Sequence, residues 1–95
     1  MTVYVDDMYQ VPLGQFGRMK MSHMFADSRI ELLRMADRIG LSRRWLQHPN
    51  SHNEHFDVSI SLRQRAVAAG AVEITMRELA LLIRARRHLD PFLIL

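Results

Sequence analysis

The sequence predicts a small α/β domain, and three observations predict it. Strand-like and helix-like segments alternate along the chain. Twice a helix-like pattern stops at a glycine, Gly40 and then Gly70, and a strand-like run follows. The 95 residues, 48% apolar and 24% charged, supply one hydrophobic core and not two. The expected architecture is a single Rossmann-like domain over residues 1–95, in two or three layers. It has a short, mainly parallel sheet of three to four strands, three helices and right-handed crossovers.

Each element has its own signal. Thr2-Val3-Tyr4-Val5 is β-branched and aromatic and stops at Asp6-Asp7, so it reads as a buried strand. Residues 9–18 hold Pro12, Gly14 and Gly17 and read as a loop. Arg18 to Met24 reads as a short extended piece, with Met19, Met21 and Met24, and Met8 nearby, as gap-filling core. Ser28 and Glu31 form a capping box of ~1 kcal/mol that opens the first helix. Leu32, Met35, Ala36 and Ile39 fall on one face of it. Arg44-Trp45-Leu46-Gln47 reads as a strand with Trp45 in the core, and residues 48–55 as a polar loop. The second helix is expected from about Ser61 to Ala69, followed by a strand at Val72-Glu73-Ile74. Thr75 and Glu78 form a second capping box before a third helix marked by Leu79, Leu82 and Ile83. The apolar tail at 91–95 is expected to pack on the core or to make a homo-oligomer.

Composition excludes several functions. The chain has no cysteine, which removes disulfides, thiolate metal sites and cysteine nucleophiles and suits a reducing compartment. The first residues carry no basic segment and acquire two acids at once, unlike a secretory signal. No apolar run approaches the roughly 18 residues of a membrane span, so the expected location is cytoplasmic, the host cytoplasm for a phage protein. The net charge of +3 is modest, and no basic block is interleaved with aromatics. A broad nucleic-acid surface is therefore not indicated, while a phosphate-bearing small molecule or nucleotide is compatible with so many arginines. There is no G-x-S-x-G elbow, and Gly14-x-x-Gly17 lacks the lysine of a phosphate loop.

In a parallel sheet, ligands bind at the carboxyl ends of the strands. Placed against that rule, polar residues from several stretches converge on one rim. Asp6, His23 and Asp27 are the candidate ligands of a divalent metal (zinc, manganese or magnesium), since imidazole and carboxylate bind such ions. His55, oriented by Asp57, is the candidate general base or acid, with Asp7 as a further catalytic carboxylate. Gln47, His48, Arg63 and Thr75 are the candidate ligand contacts, Arg63 as a phosphate holder. Which of Asp6 and Asp7 faces the site is open, because adjacent strand residues point opposite ways. The histidines His52 and His88 are expected to face solvent.

An ordered set of short motifs carries a resemblance. Thr2-Val3-Tyr4-Val5-Asp6, Ser22-His23-Met24-x-Ala26-Asp27, Ile39-Gly40-Leu41, His55-Phe56-Asp57, Arg65-Ala66 and Gly70-Ala71 resemble the small bacterial and phage proteins grouped as domain of unknown function 4031. The likeness covers about residues 2–72. It departs at Met21, where the family has Trp, at Phe56, where it has Tyr, and at Leu33, where it has His. The resemblance implies a compact single domain and implies no activity. It points to Asp6, His23, Asp27, His55 and Asp57.

Three functions follow as expectations. The first is a metal-dependent hydrolase of a phosphate ester or nucleotide. The second is a module that captures a nucleotide or similar anion unchanged, with helix N-termini at Ser28, Ser61 and Thr75 as anion contacts. The third is an interaction subunit that docks through its apolar tail. Cleaved product, intact bound ligand or a changed oligomer on tail deletion distinguishes them.

Overall fold

The computed structural model describes residues 2–89, with side chains through Arg87, so the tail at 91–95 and the His88 side chain lie outside the described residues. The strands are β1 (Val3–Val5), β2 (Gln15–Phe16), β3 (Met19–Ala26), β4 (Phe56–Ser59) and β5 (Val72–Glu73). The helices are α1 (Arg29–Ile39), α2 (Ile60–Ala68) and α3 (Met76–Leu89). The α/β class and the three helices agree with the sequence; the sheet has five strands, not three to four, and is mostly antiparallel, not mainly parallel.

β3 is the organising strand. It pairs antiparallel with β1, with β4 and, in a hairpin closed by Gly17-Arg18, with β2. Among the described residues only β1 and β5 are parallel. The physical reason lies in the connections. No helix links β1 to β3, so the chain simply doubles back, and parallel pairing would need a crossover. α1 does intervene between β3 and β4, but Met24 pairs with Phe56, so β4 starts beside the end of β3. Residues 40–55 therefore carry the chain back along the sheet before β4 begins.

The expected loop at 9–18 contains two 3-10 turns, Met8–Gln10 and Pro12–Gly14, before β2. Gly14 is required there, because a Cβ would sit 2.2 Å from the Met8 carbonyl oxygen. The expected strand at 44–47 is instead a 3-10 turn, Arg43–Trp45, with one isolated bridge from Gln47 to His55. Trp45 is 54% exposed under the Arg44 guanidinium, not buried, since no sheet neighbour covers that turn. Of the methionines, Met8, Met24 and Met35 are buried, while Met19 sits exposed on the hairpin.

The pleat of the sheet decides burial. Val3 and Val5 on β1, Met24 and Ala26 on β3, and Phe56 and Val58 on β4 share one face. They pack against Leu32, Met35, Ala36 and Ile39 of α1 and Ala66 of α2. Each large side chain buried this way contributes about 1.5–3 kcal/mol. α1 is capped as its sequence indicates: Ser28 Oγ accepts from the Glu31 N–H, and Gly40, at φ 82°, closes the C-terminus with Leu41 N–H donating to the Ala36 carbonyl. Ser59 caps α2, one residue ahead of the expected start. On the other face of the sheet α3 reaches Phe25 through Arg86.

Candidate functional site

The face opposite the α1–α2 core carries the polar residues, and register explains how they meet. His23 on β3 pairs with Asp57 on β4, and the Asp6 N–H bonds to the His23 carbonyl, extending the β1 ladder by one residue. Asp6, His23 and Asp57 thus form one cross-strand row, in which side chains share a face. His55 lies two residues before Asp57 and returns to that same face. Its backbone is fixed by reciprocal hydrogen bonds with Gln47, of 2.8 and 3.2 Å.

Asp6 is fully buried and saturated by this chain. Its Oδ1 accepts from the Met8 and His23 backbone N–H groups at 3.2 and 2.8 Å, and its Oδ2 accepts from His23 Nδ1–H at 2.7 Å. The carboxylate accepts and does not donate, so a proton stands on His23 Nδ1, and Nε2 is the ring nitrogen that Asp6 does not engage. His55 Nδ1–H is held by a different group, donating to the Asn53 carbonyl at 2.7 Å. Its Nε2 lies 3.5 Å from Asp57 Oδ1. The two rings stand edge to face, 5.0 Å between centres.

One ligand atom from each of His23, His55 and Asp57 lies within 4.8 Å of the others. The side chains are 30%, 15% and 39% exposed, so solvent reaches the cluster. His48 stands at its margin, its ring stacked on His55 at 5.8 Å. Burial opposes charging His55, but the Asp57 carboxylate and the Asn53 carbonyl outweigh it and raise the His55 pKa above the usual 6.5. The hydrogen bond from His55 in turn holds Asp57 below 3.8, against the effect of its own partial burial.

The other expected site residues are placed elsewhere. Asp27 lies at the far end of β1 from His23, where it accepts from the Thr2 N–H and the Tyr4 hydroxyl; the antiparallel turn of β3 separates the two residues that a common rim would have joined. Asp7 accepts from the Met76 N–H at the start of α3, so Asp6 and not Asp7 joins the cluster. Arg63 is buried and engaged at both ends, donating from Nε to the Asp6 carbonyl and from its terminal nitrogen to Glu73, while its plane covers Tyr9. That internal engagement replaces the expected phosphate contact. Thr75 caps α3 through Glu78, and Gln47 enters through its backbone.

Two contributors escaped the sequence reading. Asn53 matters through its carbonyl, which no sequence pattern marks. Glu54, next to His55, is only 2% exposed; it accepts from the Asn50 N–H at 3.0 Å and lies 3.9 Å from Arg29 and 3.7 Å from Arg86. It ties the 47–55 segment to α1 and α3. Within a polar run it looked like one more solvated acid. The alternation Phe56-Asp57-Val58-Ser59 is the available signal for β4, a four-residue strand that the sequence reading leaves unassigned between the 48–55 loop and the second helix. Among the described residues no buried side-chain polar atom lacks a partner, and no helix is long and apolar enough to cross a membrane.

The family described as a protein of unknown function, DUF4031, matches residues 3–86. The match takes in every residue of the cluster and runs on into α3, and the chain belongs to this family. No curated protein and no solved structure matches it.

Proposed function

We propose that this member of the DUF4031 family is a metal-dependent hydrolase whose ion is held by His23 Nε2, His55 Nε2 and the Asp57 carboxylate. The observation that carries this reading is the shared arrangement of the two imidazoles. Each donates its Nδ1–H to a fixed acceptor, Asp6 or the Asn53 carbonyl, which leaves Nε2 as the nitrogen a metal would take, and a ligand atom of each ring lies within 4.8 Å of one on Asp57. Hydrogen-bonded histidines of this kind are typical of metal sites, where the outer partner fixes the tautomer and raises ligand basicity.

The dimensions suit a single ion. With zinc–nitrogen bonds of about 2.0–2.1 Å, two imidazoles on a tetrahedral ion place their ring centres about 5 Å apart. His23 and His55 are at 5.0 Å. The ligand atoms of such a site lie about 3.4 Å apart, so the present spacing, within 4.8 Å, would have to contract by up to about 1.4 Å around one ion. Two imidazoles and one carboxylate favour zinc or manganese over magnesium, which prefers oxygen. Asp6, expected among the ligands, acts one shell further out by holding His23.

Three protein ligands leave a position for water, and a divalent ion there supplies a hydroxide near neutral pH. The expected substrate is a phosphate ester or nucleotide. It would have to be gripped by the ion and the exposed edge of the cluster, since Arg63 is already engaged. The test is turnover of p-nitrophenyl phosphate, p-nitrophenyl phosphodiesters and nucleotides by untagged protein with zinc or manganese. Metal-dependent turnover lost in Asp57→Asn is the expected result. A protein that binds the ion and releases every one of these compounds unchanged overturns the hydrolase reading and favours capture.

A further inference from the structure

We infer that His48 is a fourth, displaceable ligand of the same ion and fills the water position when no substrate is present. This rests on the metal reading above and deepens it. Two observations point to it. The His48 ring lies stacked on His55, 5.8 Å between centres and 30° between planes. That is within 1 Å of the about 5 Å that two imidazoles on one tetrahedral ion require. The His48 backbone is also held at φ 49°, a left-handed conformation that residues with a side chain rarely adopt. Such a conformation persists where surrounding structure imposes it.

The imposing structure is visible. On one side of His48 the Gln47 backbone is bridged to His55, so His48 follows directly on the residue paired with His55. On the other side the Ser51 hydroxyl donates to the His48 carbonyl at 2.6 Å, and Asn50, itself at φ 64°, is fixed to the buried Glu54. The turn is thus tied at both ends in a form that brings an imidazole to the cluster. His48 is nevertheless the most solvent-exposed of the three histidines, with His23 and His55 both half-buried. It is the ligand with least packing to hold it, and therefore the one that yields to an incoming oxygen.

The experiment uses zinc and the untagged full chain. Zinc affinity is measured by competition with a chromophoric chelator, and the number of coordinated imidazoles is counted by zinc-edge X-ray absorption. Wild type is expected to show three imidazoles. His48→Ala is expected to show two, with affinity reduced about tenfold or more, on the scale of lost metal-site interactions. His52→Ala, in the same turn and outside the cluster, is the control and keeps three. Two imidazoles in the wild type, or His48→Ala equal to wild type in affinity and count, overturns the role of His48 and leaves the three-ligand site standing. A wild-type chain that binds no zinc overturns the site itself. Thermal unfolding of each variant, run beside the titrations, shows whether a loss of affinity reflects a lost ligand or a lost fold.

Discussion

Replacing Asp6 by Asn tests the hydrogen-bond logic of the site with almost no change of shape. The two backbone N–H groups on Oδ1, from Met8 and His23, keep an acceptor in the amide oxygen. The third contact reverses. Where Oδ2 accepted from His23 Nδ1–H at 2.7 Å, the variant presents an NH2 group. His23 then avoids two opposed donors by moving its proton to Nε2, which removes the lone pair that a metal would take. A lost charge-assisted hydrogen bond costs about 1.5–3 kcal/mol of stability. Loss of the outer partner of a metal-bound histidine costs about 10–100-fold in affinity, or about 1.4–2.7 kcal/mol. Zinc competition titrations measure the second quantity, denaturant unfolding the first, and nitrogen-15 NMR of the imidazole reads the tautomer directly. An Asp6→Asn protein that binds zinc like wild type, or whose His23 keeps its proton on Nδ1, would refute the reasoning.

Three further outcomes are expected. Glu54→Ala removes a buried carboxylate that two arginines and the Asn50 N–H address, at a cost of about 2–4 kcal/mol, reduced from the full buried-pair penalty because Arg29 is 45% exposed; a midpoint shift corresponding to under about 0.5 kcal/mol would show that the turn does not depend on it. Phe56→Ala, at a fully buried position between the sheet and its helices, should destabilise by about 3–5 kcal/mol, and a smaller loss in calorimetry would mean that the core collapses into the gap. The metal-free protein should draw stability from the His55–Asp57 pair in a defined window. A His55 pKa raised above 6.5 stabilises the fold below 6.5 and ceases to do so as pH rises through its folded value; an Asp57 pKa lowered from 3.8 stabilises above 3.8 and ceases to do so as pH falls through its folded value. The stability difference between wild type and Asp57→Asn should therefore be larger at about pH 5 than at a pH above the folded His55 pKa, and a pH-independent difference would rule the pairing out.

Local chemistry was legible in the sequence, and long-range pairing was not. Capping residues announce themselves by fixed spacing, so Ser28 with Glu31 and Thr75 with Glu78 located two helix starts. Gly40 marked a terminus because few other residues accept φ 82°. The direction of β3 has no such marker. An extended segment after a glycine-rich stretch pairs equally well either way, and the absence of a helix before it was the clue to antiparallel return. That single reversal redistributes the candidate residues. It brings Asp6, His23 and Asp57 into one row and sends Asp27 to the other end of β1. Arg63 shows a different limit: an arginine that will satisfy a buried carbonyl and a neighbouring Glu73 looks the same in sequence as one that waits for phosphate. Asn53 acts through its backbone, where residue identity carries little information.

The most direct test of the account is the zinc stoichiometry of the untagged protein, measured by calorimetric titration after chelator treatment, in wild type and in His23→Ala and His55→Ala. The account predicts one ion per chain in the wild type and a binding constant weakened by orders of magnitude in either variant, both still cooperatively folded. A wild-type chain that takes up no zinc or manganese, or variants that bind as the wild type does, would contradict it.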